Sequence, residues 1–230
     1  MGNKIRLCKF RYFTNKNSFE WVCDIIRSGK FHCSRLWDLN DPMEGVYSSR
    51  VYPIKKAKSI YDKIFNEKNK YVICSFSNKK ALRDPRLWGY YANGYKGIAI
   101  EIEIEKSQVK EVNYVFKKDL FIDIDETKLP QEIAKEVLIR KLKKWKHEKE
   151  YRFLCKSDGE TEIPIGKIKK IYFGNPYSHL LNMDSIELNS DTNKTYMDYK
   201  KELIKLCQGK GIELIDYNVN GNHKKIDPNE

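Results

Sequence analysis

The chain has 230 residues, a formal net charge of +12, 40% hydrophobic and 13% aromatic residues. That hydrophobic share excludes an intrinsically disordered chain; the 33% of charged residues, with no apolar run near the roughly 18 residues of a spanning helix, exclude a membrane-embedded one. The basic excess favours polyanions or nucleotides as partners without requiring them.

The opening residues have no apolar core of the kind a signal peptide needs, and Arg6 stands where a myristoylation motif has Ser or Thr, so a cytoplasmic location is expected. The cysteines at 8, 23, 33, 74, 155 and 207 are spread singly, which predicts reduced, buried thiols and no metal centre. Residues 5–13 alternate as a strand and carry Arg11 on a face with apolar neighbours. A guanidinium there suits a phosphate or ribose, or simply covers a sheet edge. Ser18 is the expected cap of a helix running to Arg27, closed by Gly29. The acidic loop Leu36 to Gly45, with Asn40-Asp41-Pro42 at its centre, reads as turn chemistry.

A basic helix follows, with Ile54, Ala57, Ile60, Tyr61, Ile64 and Phe65 on one side. Tyr71 to Ser77 then form a strand that ends in Ser75-Phe76-Ser77, where small hydroxyls replace bulk. The aromatic cluster around Trp88, Tyr90 and Tyr91 is core by default, though exposed members are able to stack a planar base. Gly97 to Ile104 alternate as a half-buried strand. After a possible strand at 112–116, residues 131–147 predict one amphipathic helix with an outer face rich in lysine, including Lys143, Lys144 and Lys146. Further elements are a strand at 168–173, a helix at 196–207 and a strand at 212–219. Strands and helices interleave without a βαβ repeat, so an α+β fold with a mixed or antiparallel sheet and flanking helices is expected, a single domain over 1–219 with a mobile tail at 220–230.

The stretch Trp145 to Leu154 reads as a helix end entering a strand. With a rise of roughly 3.3 Å per residue, Glu148 and Glu150 share a face of that strand. Taken alone, the pair is a solvated edge neutralised by Lys149 and Arg152. Mutual repulsion of two such acids raises one pKa, which suits a base.

Taken together, Lys9-Phe-Arg11, Leu39-Asn-Asp-Pro-Met-Glu44, Ser75-Phe-Ser77, Trp88-Gly-Tyr-Tyr-Ala92, Gly97-Ile-Ala-Ile100, Trp145-x-x-Glu-x-Glu-Tyr-Arg152 and Ile171-Tyr-Phe-Gly174 resemble the bacterial domain-of-unknown-function family 2971. Gly94-Tyr95 departs from that pattern, which has a histidine before the glycine strand. The order Arg11, Ser75-Phe-Ser77, Glu148-Lys-Glu150 is more distantly similar to ADP-ribosyltransferases of the Arg-Ser-Glu type. That resemblance implies a split sheet and NAD as co-substrate without a metal. It gives Glu150, with Glu148, as catalytic carboxylates, and Arg11, Ser75, Ser77, Trp88, Tyr90 and Tyr91 as dinucleotide contacts. ADP-ribose would pass to nucleic acid, protein or water, in a toxin or phage-defence setting. Two alternatives compete: a non-catalytic nucleic-acid or partner-binding module using the lysine-rich face, and, with less support, a metal-dependent nuclease built on Asp41, Glu44 and the glutamate pair.

Overall fold

The computed structural model describes residues 3–39, 41, 43–47, 54–120, 128–176 and 191–227. In chain order the elements are β1 (Lys4–Tyr12), α1 (Lys16–Ser28), β2 (Lys30–His32), α2 (Ile54–Asn69), β3 (Tyr71–Asn78), α3 (Pro85–Tyr91), β4 (Gly97–Glu105), β5 (Val109–Glu111), β6 (Asn113–Val115), α4 (Pro130–Leu138), β7 (Arg140–Leu142), β8 (Glu150–Lys156), β9 (Glu162–Pro164), β10 (Lys167–Asn175), α5 (Asp191–Cys207), β11 (Glu213–Asn218) and β12 (His223–Lys225), with short 3-10 turns between some of them. The result is a mixed α/β fold with a large, mostly antiparallel sheet. The chain forms two compact units, one of residues 1–31, 76–105 and 164–230, the other of residues 32–75 and 106–163.

In the first unit the strand order is β12-β11-β10-β4-β1, followed by the end of β3. β1 and β4 pair antiparallel along their whole length, from Lys4 opposite Glu105 to Tyr12 opposite Gly97. β10 and β11 form the parallel pair that makes the sheet mixed. Alternation in β4 predicted one dry and one wet face, yet Glu101 is as buried as its isoleucine neighbours. Arg6 and Lys79 pair with its carboxylate and the Tyr172 hydroxyl donates to it, which together replace the lost water. On this face Cys8, Phe10, Trp88, Tyr95, Tyr172 and Tyr217 belong to one apolar cluster.

α1 begins one turn earlier than expected. Asn15 is the cap, accepting from the Ser18 N–H, while the Ser18 hydroxyl accepts from the Asn15 N–H in return. The helix buries Phe19, Val22, Ile25 and Ile26 and ends at Gly29, whose φ of 69° is the left-handed closure the sequence predicts. α5 covers the sheet beside it, and its Tyr196 hydroxyl donates to the Gly174 carbonyl. The polar tail is not wholly irregular, because β12 adds antiparallel to β11 as an edge strand.

In the second unit the order is the start of β3, then β8, then β5. β6 and β7 form a separate parallel pair, with Asn113 opposite Arg140 and Val115 opposite Leu142. α2 packs on α4 through Ile64, Ile133, Ala134 and Val137, with Ile60 and Tyr61 partly buried and Phe65 exposed. The side chains of Ile54 and Ala57 lie outside the described residues. The single helix expected over 131–147 does not form: α4 stops at Leu138, β7 follows, and residues 143–148 make a 3-10 turn. The break has a physical cause, because Lys141 turns inward onto a set of carboxylates that a continuous helix would leave behind. Among the described residues, no helix is long and apolar enough to cross a membrane.

Candidate functional site

The inward turn of Lys141 builds the most concentrated charge in the second unit. Its ammonium lies 2.6 Å from Glu148 Oε2, 3.0 Å from Glu150 Oε2 and 3.0 Å from Glu44 Oε1. Two residues beyond Glu150 on the same face of β8, Arg152 spends its guanidinium in three directions. Nε donates to Glu150 Oε1 at 2.8 Å, Nη2 to Glu44 Oε2 at 2.7 Å and Nη1 to the Leu138 carbonyl at 2.6 Å. Lys141, Glu44, Arg152 and Glu150 therefore close a ring of alternating charge, with Glu148 attached at Lys141.

The backbone sets this ring up. Lys149 takes the left-handed conformation, φ 46°, between the 3-10 turn and β8. Glu148 and Glu150 consequently flank one ammonium, although only Glu150 is in the strand. The Glu150 N–H donates to the Tyr114 hydroxyl from β6, and the Ser75 side chain from β3 lies near the Glu150 carboxylate and favours its ionised form. Glu44 is delivered by a turn in which its N–H donates to the Asp41 carbonyl.

Nothing here is a solvated edge. Glu148 and Glu150 are each 3% exposed and Arg152 is fully buried. Burial pushes the Glu150 carboxyl up, but Arg152, Lys141, the hydrogen bond from Arg152 and the nearby Ser75 outweigh it and hold the pKa at about 2. The expected raised acid of the Glu148 and Glu150 pair is therefore not Glu150. Glu44 is raised: burial pushes it up, opposed by Arg152 and Lys141, with Glu150 adding to the rise. Burial pulls Lys141 down, yet the three carboxylates around it keep its pKa above the ordinary lysine value.

Glu44 has a second role in the geometry, because it also lines a cavity of about 500 Å³ together with Trp37, Asp41, Tyr47 and Lys68. Asn40 and Pro42 of the acidic loop lie outside the described residues. A metal site from Glu44 and the glutamate pair meets an obstacle of charge, since the Lys141 ammonium already stands among these three acids.

No family model, curated protein or solved structure matches the chain.

Of the residues the sequence singles out, Ser75, Glu148 and Glu150 come together in the second unit. Arg11, Ser77, Trp88, Tyr90 and Tyr91 belong to the first. There Arg11 is half-buried on β1 opposite Ile98, and Ser77 is buried opposite Cys8. Trp88 is fully buried, stacked with Tyr95 and Tyr217 and met edge-on by Phe10, its Nε1 donating to the Leu82 carbonyl. Tyr90 is exposed and Tyr91 packs partly on the core. On the lysine-rich turn, Lys143, Lys144 and Lys146 are exposed. Sequence reasoning named Glu44 and Arg152 but not their linkage, and it placed Lys141 on an outer face. One signal was present, since Arg152 lies at the strand spacing from Glu150 that puts both on one side.

Proposed function

We propose that the chain is an NAD-consuming enzyme of the ADP-ribosyltransferase kind, breaking the bond between nicotinamide and ribose at the acids around Glu150. The observation that carries this reading is the proximity of Ser75 to the Glu150 carboxylate, two motif residues far apart in sequence. Cleavage of that bond spreads positive charge over the sugar C1 and ring oxygen, as in glycoside hydrolysis, while nicotinamide leaves neutral and needs no acid. A carboxylate with a pKa of about 2 is fully ionised at neutral pH and able to stabilise such a cation. Glu150 Oε1 accepts from Arg152 and Oε2 from Lys141, and with Ser75 also at the carboxylate one acceptor site is left for a ribose hydroxyl. Glu148, sharing Lys141, orients or deprotonates the acceptor, which is nucleic acid, protein or water.

Glu150→Gln keeps the shape and removes the charge. Nicotinamide release should fall by roughly 10²-fold or more, about 3 kcal/mol in the barrier. Ser75→Ala, which leaves the ion pairs intact, should give a smaller loss and so separates catalysis from folding. Wild-type protein that neither binds NAD nor releases nicotinamide with any acceptor overturns the reading.

A second reading has its own observation. Phe116 is 52% exposed with the Lys143 ammonium 4.1 Å from its ring centre, an aromatic platform beside Lys144 and Lys146. A single-stranded nucleic acid would stack and pair there. Such binding weakens with salt, survives Glu150→Gln, and is lost on reversing the charge of the three lysines.

A further inference from the structure

The cavity beside Glu44 holds two buried polar side chains whose bonding is incomplete among the described residues. Asp41 is 6% exposed; its Oδ1 accepts the Met43 N–H at 3.0 Å, and its Oδ2 has no hydrogen-bond partner among the described residues. Lys68 is 5% exposed and donates one hydrogen bond, to the Gly45 carbonyl at 2.7 Å, with its ammonium 4.9 Å from the centre of the Tyr47 ring. An ammonium has three N–H groups, so donors are left over, and no ion pair joins Lys68 to Asp41 among the described residues. Burial without a carboxylate partner pulls the Lys68 pKa down. Both side chains line the cavity, and so does Trp37, an indole 68% exposed where most are covered.

Buried polar groups without partners in a roomy cavity mark places where a ligand completes the bonding. A simple anion is disfavoured, because the Asp41 and Glu44 carboxylates share the cavity with Lys68. What suits them is a neutral molecule offering a donor to one side and an acceptor to the other. The indole of Trp37 and the phenol of Tyr47 add flat apolar surface, which fits a ring.

We infer that this cavity binds a flat heteroaromatic ring whose edge carries a hydrogen-bond donor next to an acceptor, the acceptor meeting the Lys68 ammonium and the donor meeting the Asp41 carboxylate once that side chain turns its enclosed oxygen toward the ring. The carboxamide of nicotinamide and the amino edge of adenine both present that pair. The choice of these two rings rests on the NAD reading above; the donor and acceptor pattern does not.

The test is calorimetric titration of the full chain with nicotinamide, adenosine and benzoate. Nicotinamide or adenosine should bind and benzoate, which lacks the donor, should not. A preference for nicotinamide assigns the pyridine carboxamide, and a preference for adenosine assigns the base. Binding should weaken by about tenfold or more in Asp41→Ala and in Lys68→Met. Trp37→Ala, at an exposed position that leaves the core intact, should weaken it as well and keeps the test valid if a buried variant fails to fold. No binding of either ring at millimolar concentration overturns the inference, as does binding indifferent to the variants that fold. Ring binding without nicotinamide release from NAD retains this site and overturns the enzyme reading. Release from NAD with an unchanged KM in Lys68→Met and Asp41→Ala does the reverse.

Discussion

Lys141 and Glu44, from segments almost a hundred residues apart, meet with 3.0 Å between Nζ and Oε1. Both are at least nine-tenths buried, so their attraction acts in a poorly screening environment and each is costly to leave alone. Lys141→Met should therefore cost about 3–5 kcal/mol in urea unfolding, the usual range for breaking a buried pair. Combining it with Glu44→Gln should cost less than the two single losses added together, by about 1–3 kcal/mol, since the second change removes a charge the first had stranded. Additive costs would show that the ring is not an energetic unit.

Acid should expose the same unit from another side. Glu150 titrates at about 2 in the folded chain, below its unfolded value, so its stabilisation is present above that unfolded value and is lost as pH falls toward 2. Glu44 has the opposite sign: its folded pKa is raised, so it disfavours folding above its unfolded value and gives some stability back on acidification. Unfolding midpoints followed downward from about pH 4.5 should drop more steeply in wild type than in Glu150→Gln, because the carboxylate with unfolded pKa near 4.3 is then missing. Parallel curves would remove Glu150 from the acid response.

Gly174 is fixed by contact, not by backbone angle. A Cβ there would overlap the Tyr95 carbonyl oxygen and meet the Tyr95 carbonyl carbon at 2.8 Å, both backbone atoms that cannot swing away. Gly174→Ala should destabilise the first unit by about 1–3 kcal/mol, read as a lower urea midpoint. Gly159→Ala, with nothing within 4 Å of the added carbon, serves as the control and should change little.

The thiols divide cleanly. Cys155 is partly exposed, whereas Cys8, Cys23, Cys33, Cys74 and Cys207 are buried. Burial pushes Cys23 up to about 11 and Cys207 up to about 12, which suppresses the reactive thiolate. Native protein should react at one thiol with a chromogenic disulfide reagent, and Cys155→Ser should abolish that fast phase. Denaturant should release the other five. Fast reaction at a second thiol in native protein would contradict the burial described.

Where sequence patterns were local, they foretold structure well. The alternation of residues 5–13 and 97–104, the helical spacing of Phe19, Val22 and Ile26, and the Gly29 stop all depend on neighbours a few positions away. The errors came where distant groups decided. A lysine-rich run at 140–146 reads as a wet helical face until three glutamates, one from residue 44, call Lys141 inward. Glu101 reads as solvent-facing until Arg6, Lys79 and Tyr172 surround it. The site was legible in the same partial way. The Ser75 and Glu150 motifs fall together in the charged cluster of the second unit, but the burial of the acids, their cations and the cavity beside Glu44 depend on tertiary contacts that spacing does not encode.

The alternating ring has a consequence for how this chain can change over evolutionary time. Glu44, Lys141, Glu150 and Arg152 each answer two others of opposite sign, and Glu148 answers Lys141. A single replacement among the four of the ring strands a charge in the interior, so drift at these positions has to proceed through paired replacements. Across descendants of this sequence the four ring positions should stay fixed or change together, while the exposed lysines at 143, 144 and 146 vary one at a time.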